Sequence, residues 1–324
     1  MKKSLRTHEL PTSPDEACMY ILIPNTKNMH MYEERINRNI GWIHPDEQTV
    51  LRKKVVGIAG CGGMGGFVAS TLLRLGVGEI RIADPEIFDI SNLNRQMAAR
   101  TATIGESKAF ATARELRAIA DDTTVVVYAQ GITVETVDDF IVGCDVVIDL
   151  IEFWAIGARI LLHQKSRNYH VPILNANTVG HRSYLWKFTN DGMPVEEILG
   201  MSYDHATTLQ EKISLNTHTE DELCEVMDAI MKTFVPETPE YSANISLYST
   251  ERELHRRLIE EKRASIIATN PPMAGGFLSN HILFELLKSS PIKRCIVYPP
   301  RMPGYLMIDA GLLCTQKFEG IWWT

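Results

Sequence analysis

Short apolar runs alternate with longer amphipathic stretches through the first half of the chain. The runs that predict buried strands are residues 55–59, 80–83, 124–129, 145–149 and 171–174. The stretches with helical spacing of apolar side chains are residues 67–75, 107–120, 134–141 and 154–166. Strands that alternate with helices form βαβ crossovers, so the pattern predicts a Rossmann-like, doubly wound α/β fold with a mostly parallel sheet.

The alternation of strands and helices stops on either side of this region, which divides the chain into three parts. Residues 1–50 predict an N-terminal extension and arm, and residues 51–182 the Rossmann-like core. Residues 183–324 are expected to complete the sheet with an antiparallel extension. Within them, residues 190–265 are polar and mostly helical, and we interpret this stretch as a helical insertion over the sheet that serves the substrate.

Further elements are expected at the two ends of the chain. The predicted strands are residues 19–23, 183–188, 295–298 and 305–308. The predicted helices are residues 32–38, 221–234, 250–262 and 275–288, with a loop over residues 236–246.

Composition narrows the class of protein. The chain has 324 residues, of which 45% are hydrophobic and 23% charged, which is typical of a folded globular protein and disfavours disorder. No apolar stretch approaches the ~18 to 20 residues of a membrane span, and no apolar segment follows the basic N-terminus, so we expect a cytoplasmic protein. The net charge of −7 argues against a dedicated nucleic-acid binder.

A glycine cluster is the first feature of the sequence that indicates a ligand-binding site. Residues 60–65 read Gly-Cys-Gly-Gly-Met-Gly and lie between a predicted strand and a predicted helix. Glycines permit a tight turn and close approach of a ligand, and the free N–H groups of the helix N-terminus favour phosphate. Asp84 ends the next strand, where a carboxylate can accept hydrogen bonds from ribose hydroxyls. Taken alone, these features fit ATP and NAD about equally well.

Two cations tip the balance towards ATP. Arg95 and Lys108 follow the second strand, close in the fold to the predicted phosphate cradle. An enzyme that transfers a hydride has no use for them in this arrangement. An enzyme that cleaves ATP between its α- and β-phosphates does, because fixed cations neutralise the charge that develops on departing pyrophosphate.

The chain from about residue 32 to residue 188 resembles the ubiquitin-activating-enzyme superfamily in its small bacterial form, the ThiF/MoeB-like adenylyltransferases that activate thiamin and molybdopterin sulfur carriers. Residues 60–65 match the family's G-x-G-G-x-G, and residues 84–86 its D-x-D. Residues 91–96 match its N-L-x-R-Q run, and Lys108 the lysine of its G-x-x-K segment. A weaker match is residues 271–276, which open an apolar helix.

The resemblance implies a reaction and roles for individual residues. A carboxylate would attack the α-phosphate of ATP to give an acyl-adenylate and pyrophosphate, with Mg²⁺ offsetting the phosphate charge. Asp84 would hold the ribose, and Arg38 would be lent to the ATP of the other subunit in a homodimer. The implied catalytic residues are Arg95, Lys108, Glu152 and Arg38. The implied nucleotide-binding residues are Gly60, Gly62, Gly63, Gly65, Asp84, Asn92, Arg95, Gln96 and Lys108.

The sequence departs from the family in two places. Where the family has D-x-T-D-N with a metal-binding second carboxylate, this chain has Asp149-Leu150-Ile151-Glu152-Phe153. Glu152 keeps that carboxylate and is the expected Mg²⁺ ligand, and Asp149 is the alternative that would share or take over this role. The six cysteines contain no C-x-x-C pair, so we expect a divergent member without the structural zinc.

The substrate stays open at this stage. The family's usual substrate is a β-grasp carrier protein that ends in Gly-Gly, and the next alternative is a ribosomally made peptide modified through a carboxylate. A tRNA-bound small acid is a third, disfavoured by the negative net charge. An NAD(P)-dependent oxidoreductase and a non-catalytic partner subunit are the alternatives from other classes. Cys224 is the one cysteine of the insertion that could form a thioester, but its acidic neighbours weaken it as a nucleophile.

Overall fold

The computed structural model of the protein describes residues 2–5, 19–24, 29–234, 257, 261, 263–292 and 294–321. The strands are β1 (Lys2–Leu5), β2 (Met19–Leu22), β3 (Val55–Ala59), β4 (Glu79–Ala83), β5 (Thr124–Tyr128), β6 (Val146–Asp149), β7 (Ile173–Val179), β8 (Arg182–Phe188), β9 (Tyr305–Asp309) and β10 (Cys314–Phe318). The helices are α1 (Met29–Ile36), α2 (Pro45–Leu51), α3 (Gly63–Leu75), α4 (Lys108–Ile119), α5 (Val137–Ile141), α6 (Ile156–Asn168), α7 (Val195–Leu199), α8 (Tyr203–Ser214), α9 (Glu220–Phe234) and α10 (Asn270–Leu286). Short 3-10 helices are Asn37–Asn39, Ile90–Asn94 and Thr101–Thr103.

All the strands described belong to one sheet, in the order β1-β2-β5-β4-β3-β6-β7-β8-β9-β10. The central neighbours β5, β4, β3, β6 and β7 are parallel. Beyond β7 the sheet continues through antiparallel β8, β9 and β10. The predicted Rossmann-like α/β fold with an antiparallel C-terminal extension is therefore confirmed.

Helices cover both faces of the sheet, as the doubly wound arrangement requires. One face packs against α3, α4 and α10, whose Leu72, Phe110 and Leu278 are fully buried. The other face packs against α5, α6 and the inserted helices α8 and α9. Because β3 is buried on both sides, it carries no polar side chain, whereas β4 carries Glu79 and Arg81 at half-buried positions.

The inserted region lies against α6. A side chain at Gly157, in the first turn of α6, would come within 3.0 Å of the Thr207 Cα on α8, so the two helices approach closely. After the undescribed part of the insertion, residues 263–269 lead into α10. Most of the predicted helix 250–262 and the predicted loop 236–246 lie outside the described residues.

One expected strand is absent. Residues 295–298 form no strand, and Val297 and Tyr298 are 58% and 39% exposed. The position beside β9 is taken by β10, which pairs with β9 from Cys314 to Phe318. β-branched and aromatic side chains favour a strand only where a neighbouring strand is available for pairing. Of the helices that the structure describes, none has the length and apolar character needed to cross a bilayer.

Candidate nucleotide-binding site

A cavity of about 410 Å³ opens at the carboxyl ends of the central strands. Its walls come from the β3–α3 turn, the end of β4 and the segment that follows β6. From β3 the sheet grows in one direction through β4 and in the other through β6. In open α/β sheets this switch point is where ligands bind.

The connection from β3 into the first turn of α3 requires glycine at two positions. Gly60 has a φ of +104°, and a Cβ there would lie 2.2 Å from the Leu150 carbonyl oxygen. A Cβ on Gly65 would lie 1.9 Å from the Gly60 carbonyl oxygen. Gly62 caps α3 without a side-chain acceptor, so the first N–H groups of the helix are left for a ligand. Gly60, Gly62, Gly63 and Gly65 all line the cavity, as the sequence predicts.

Asp84 ties this turn to the end of β4. Its Oδ2 accepts the Cys61 N–H at 2.7 Å, and its Oδ1 accepts the Glu86 N–H at 2.8 Å. Burial raises the pKa of Asp84 to about 6, although the charge of Lys108 acts in the opposite direction. Asp84 lines the cavity together with the glycine turn.

Lys108 and Glu86 form an ion pair on the cavity wall. Lys108 is the first residue of α4 and is buried, and its Nζ lies 2.5 Å from Glu86 Oε2. Burial lowers the pKa of Lys108, but Asp84 and Glu86 more than compensate, so that its pKa is raised and the ammonium stays charged. Glu152 lines the same cavity. Desolvation by the surrounding protein and the negative charge of Glu86 raise the pKa of its carboxyl group.

Arg95 follows the 3-10 helix Ile90–Asn94 and also lines the cavity. Its Nη1 donates to the Ser91 carbonyl at 3.2 Å and to Asn94 Oδ1 at 3.0 Å, which are both neutral acceptors. The adjacent Gln96 is buried, and its Oε1 has no hydrogen-bond partner in the described structure. A buried acceptor without a partner carries an energetic cost that a donor on a ligand would remove.

A second cavity of about 420 Å³ adjoins the first and shares Arg95, Gln96, Lys108 and Glu152 with it. The 3-10 helix Ile90–Asn94 and residues 264–266 both contribute to its wall. Asn94 Nδ2 donates to the Ile266 carbonyl at 3.2 Å and joins the two segments. The predicted Asn92 borders this second cavity, with its Oδ1 accepting the Asp89 N–H at 3.2 Å.

Two predicted residues lie apart from both cavities. Asp149 is fully buried, and its Oδ2 lies 2.9 Å from both Arg159 Nε and His163 Nε2. Arg38 is exposed in the 3-10 helix Asn37–Asn39, next to the C-terminal end of α3, whereas the glycine turn lies at the other end.

The sequence interpretation missed further residues that line the first cavity. They come from the β6–α6 segment, β7, α8 and the segment before α10, and include Phe153, Asn177, Gln210 and Ser265. Gln210 Oε1 accepts the Ala158 N–H at 3.1 Å, which leaves its amide group as a donor at the cavity. No local motif marks these positions, because each is contributed by a different element.

The donor set of the site fits Mg²⁺. Magnesium is usually held by one or two carboxylates together with substrate phosphates, not by a complete protein cage. Glu152 and Glu86 supply such carboxylates at the cavity shared with Arg95 and Lys108. Among the described residues, no group of three or more His, Cys, Asp or Glu side chains is arranged to hold a metal by itself.

Comparison with known proteins identifies the family of this chain. The ThiF family matches residues 36–297. The tRNA threonylcarbamoyladenosine dehydratase of Bacillus subtilis is 24% identical over 264 residues, which are 80% of this chain and 97% of that protein. The sulfur carrier protein ThiS adenylyltransferase of the same organism is 30% identical over 45% of this chain and 43% of its own length.

The fold has solved counterparts. The structure of Escherichia coli MccB with AMPCPP and MccA superposes with a TM-score of 0.58 at 18% identity, and covers 92% of this chain and 74% of that one. The resemblance named from the motifs is confirmed, and it supports ATP-dependent carboxylate adenylation. An oxidoreductase and a non-catalytic partner subunit are not favoured. The chain belongs to the ThiF family.

Proposed function

We propose that this protein activates the carboxylate of a carrier protein or a peptide by adenylation with ATP. A carboxylate oxygen attacks the α-phosphorus, and the bond from that phosphorus to the oxygen bridging to the β-phosphate breaks. Pyrophosphate leaves with the electron pair, and the acyl-adenylate remains. The observation that carries the proposal is a single cavity lined by the glycine turn, Asp84, Arg95, Lys108 and Glu152.

The nucleotide-binding roles follow from the contacts around the turn. The free N–H groups at the start of α3 would donate to phosphate oxygens. Each carboxylate oxygen of Asp84 accepts one backbone N–H and keeps a second lone pair for a ribose hydroxyl. Gln96 Oε1 is buried without a hydrogen-bond partner in the described structure and would accept a hydrogen bond from a donor group of the nucleotide. Asn92 keeps its amide N–H groups for the triphosphate, because its Oδ1 is the atom used by Asp89.

Charge stabilisation comes from Arg95 and Lys108. Arg95 contacts only neutral acceptors in the described structure, so its charge is available to a phosphate. Lys108 is held in place by Glu86. Mg²⁺, when bound, would neutralise charge on the phosphate oxygens, and we assign Glu152 as its ligand. Asp149 is engaged by Arg159 and His163 and serves the fold instead.

Several findings support a macromolecular carboxylate as the substrate. The inserted helix α8 brings Gln210 to the cavity wall, so the insertion contributes to the site. One relative is named as an adenylyltransferase of the sulfur carrier protein ThiS, and the MccB structure contains MccA. A relative that matches over 97% of its own length is named tRNA threonylcarbamoyladenosine dehydratase, so tRNA belongs among the substrates to be tested.

We also propose a homodimer in which Arg38 acts on the partner's ATP. Arg38 lies near the C-terminal end of α3, and this helix of 13 residues is about 20 Å long. Arg38 therefore cannot reach the glycine turn of its own chain. Trp42 nearby is 89% exposed, which provides apolar surface for a subunit contact.

Mixing two inactive variants tests the action in trans. Arg38→Ala and Arg95→Ala are each expected to lose activity, and an equimolar mixture should regain part of it through mixed dimers. Light scattering reports the oligomeric state independently. A strict monomer, or a mixture without any recovery of activity, would exclude the role of Arg38.

The activity itself is tested by exchange of labelled pyrophosphate into ATP with candidate substrates. The panel consists of a carrier protein that ends in Gly-Gly, peptides with free carboxylates and tRNA, with hydroxylamine trapping of the adenylate as a second readout. Arg95→Ala should abolish the exchange, whereas Arg100→Ala serves as the matched control because Arg100 is exposed and paired with Glu115. Calorimetry should show binding of ATP and none of NAD. Full exchange in the Arg95 variant would contradict the assignment.

A further inference from the structure

The second cavity is closed on one side by residues from the end of the inserted region. Arg257, Arg263 and residues 264–266 all line it. The Arg263 N–H donates to the Arg257 carbonyl at 3.0 Å, and Arg257 Nη1 donates to Ser265 Oγ at 3.3 Å. With the bond from Asn94 to Ile266, these contacts hold the segment against the phosphate side of the site.

Eight of the side chains that line this cavity are charged, and four of them form ion pairs with one another. The cations are Arg95, Lys108, Arg257 and Arg263, and the carboxylates are Glu86, Asp89, Glu152 and Glu261. Lys108 pairs with Glu86 at 2.5 Å, and Arg257 with Glu261 at 3.4 Å.

Arg95 and Arg263 remain as the cations of this cavity without an ion pair among the described residues. Of the two remaining carboxylates, Asp89 accepts the Ser91 N–H at 2.6 Å through Oδ1 and so caps the 3-10 helix. Hydrogen bonds from Ser91 lower the pKa of Asp89 most, and the positive charge of Arg263 lowers it further. Glu152 is the carboxylate that we assigned to the metal. The cavity thus presents two arginines to a ligand that carries several negative charges.

We propose that Arg263 binds the β- and γ-phosphates of ATP from within the same chain and stays in contact with the departing pyrophosphate. The inference rests on the proposed adenylation. It adds a phosphate-binding residue outside the glycine, Asp84 and Lys108 motifs, and supplies it from the inserted region.

The relative position of the two cavities supports the β- and γ-phosphates as the ligand. The glycine turn and Asp84 line only the first cavity, which would hold the nucleoside and the α-phosphate. Arg95 and Lys108 lie at the boundary because they line both. Phosphates beyond the α position therefore extend into the second cavity, where Arg263 lies. A guanidinium suits this ligand since its planar fork can bond two phosphate oxygens at once.

Binding measurements test this assignment without knowledge of the acyl substrate. Calorimetry with Mg²⁺ compares the affinities of ATP, AMP and inorganic pyrophosphate for the wild type, Arg263→Ala, Arg263→Lys and the control Arg100→Ala. We expect Arg263→Ala to weaken ATP and pyrophosphate about tenfold, the effect of losing one charge-assisted hydrogen bond, and to leave AMP unchanged. Arg263→Lys should recover part of the loss, and Arg100→Ala should bind all three ligands normally.

The measurements distinguish a failure of the Arg263 assignment from a failure of the proposed adenylation. Wild-type affinity of Arg263→Ala for ATP would overturn the assignment, as would an equal loss for ATP and AMP, which would mean that Arg263 only shapes the cavity. If the wild-type protein binds neither ATP nor AMP, the proposed adenylation itself fails. Since Arg263 is exposed, its replacement leaves the core packing unchanged, and thermal unfolding of each variant verifies that the fold is intact.

Discussion

Replacing Asp149 by asparagine is expected to destabilise the fold and to leave Mg²⁺-dependent ATP binding of the folded protein intact. Asp149 is fully buried at the end of β6. Its Oδ2 lies 2.9 Å from Arg159 Nε and from His163 Nε2, and its Oδ1 accepts the Ile151 N–H at 3.0 Å. Asparagine fits the space but provides no charge to balance buried Arg159.

The geometry gives two free energies: the loss of stability in the variant, and the stability that ionisation of Asp149 contributes. Removal of one partner from a buried ion pair costs about 3–5 kcal/mol of unfolding free energy. Burial raises the pKa of Asp149, but Arg159 and His163 outweigh it and lower the pKa from 3.8 to about 2. At 1.36 kcal/mol for each pKa unit, the ionised form contributes about 2 kcal/mol to stability. Because the pKa in the folded state is the lower one, this contribution is complete above the unfolded pKa and is lost as the pH falls towards 2.

Urea unfolding of the wild type and Asp149→Asn at neutral pH, and in steps from about pH 5 to about pH 2, measures both effects. The variant should be less stable at neutral pH, and the difference should shrink in acid. Glu152→Gln is the companion variant, which should keep wild-type stability and lose Mg²⁺-dependent ATP affinity. An Asp149→Asn protein that is as stable as the wild type but loses ATP affinity would refute the reasoning and return Asp149 to the metal site.

Three further substitutions test other parts of the site. Gly65→Ala should abolish ATP binding in calorimetry, because its Cβ would lie 1.9 Å from the Gly60 carbonyl oxygen, whereas Gly276→Ala is a matched control with no atom within 4 Å of its Cβ. Unchanged ATP binding by Gly65→Ala would contradict the tight turn. Cys224→Ser should leave pyrophosphate exchange unchanged, because burial and the charges of Asp228, Glu220 and Asp221 raise the pKa of the thiol; a large loss would indicate a thioester. Gln210→Ala should raise the KM of the acyl substrate and leave the Kd of ATP unaltered, and a change confined to ATP would place Gln210 at the nucleotide instead.

Periodicity along the chain predicted the central sheet because buried parallel strands and their crossover helices are each encoded locally. Residues 55–59 were predicted as a strand, and β3 spans Val55–Ala59. The edges of the sheet were harder to predict. Residues 295–298 have the composition of a strand but form none, whereas Cys314–Phe318, which is largely exposed, pairs with β9. Whether an edge segment becomes a strand depends on which neighbour is free to pair with it.

The residues of the candidate site also fall into those that the sequence predicted and those that only the structure revealed. The sequence by itself singled out the glycine turn, Asp84, Arg95 and Lys108, which line one cavity, because they lie in compact motifs whose spacing reflects a strand, a turn and a helix. Only the tertiary structure decided that Asp149 is buried against Arg159 and His163 while Glu152 faces the cavity. It also brought Gln210 and Arg263 to the walls of the two cavities. Such residues are far apart in the chain and become neighbours through packing, which short-range sequence patterns do not encode.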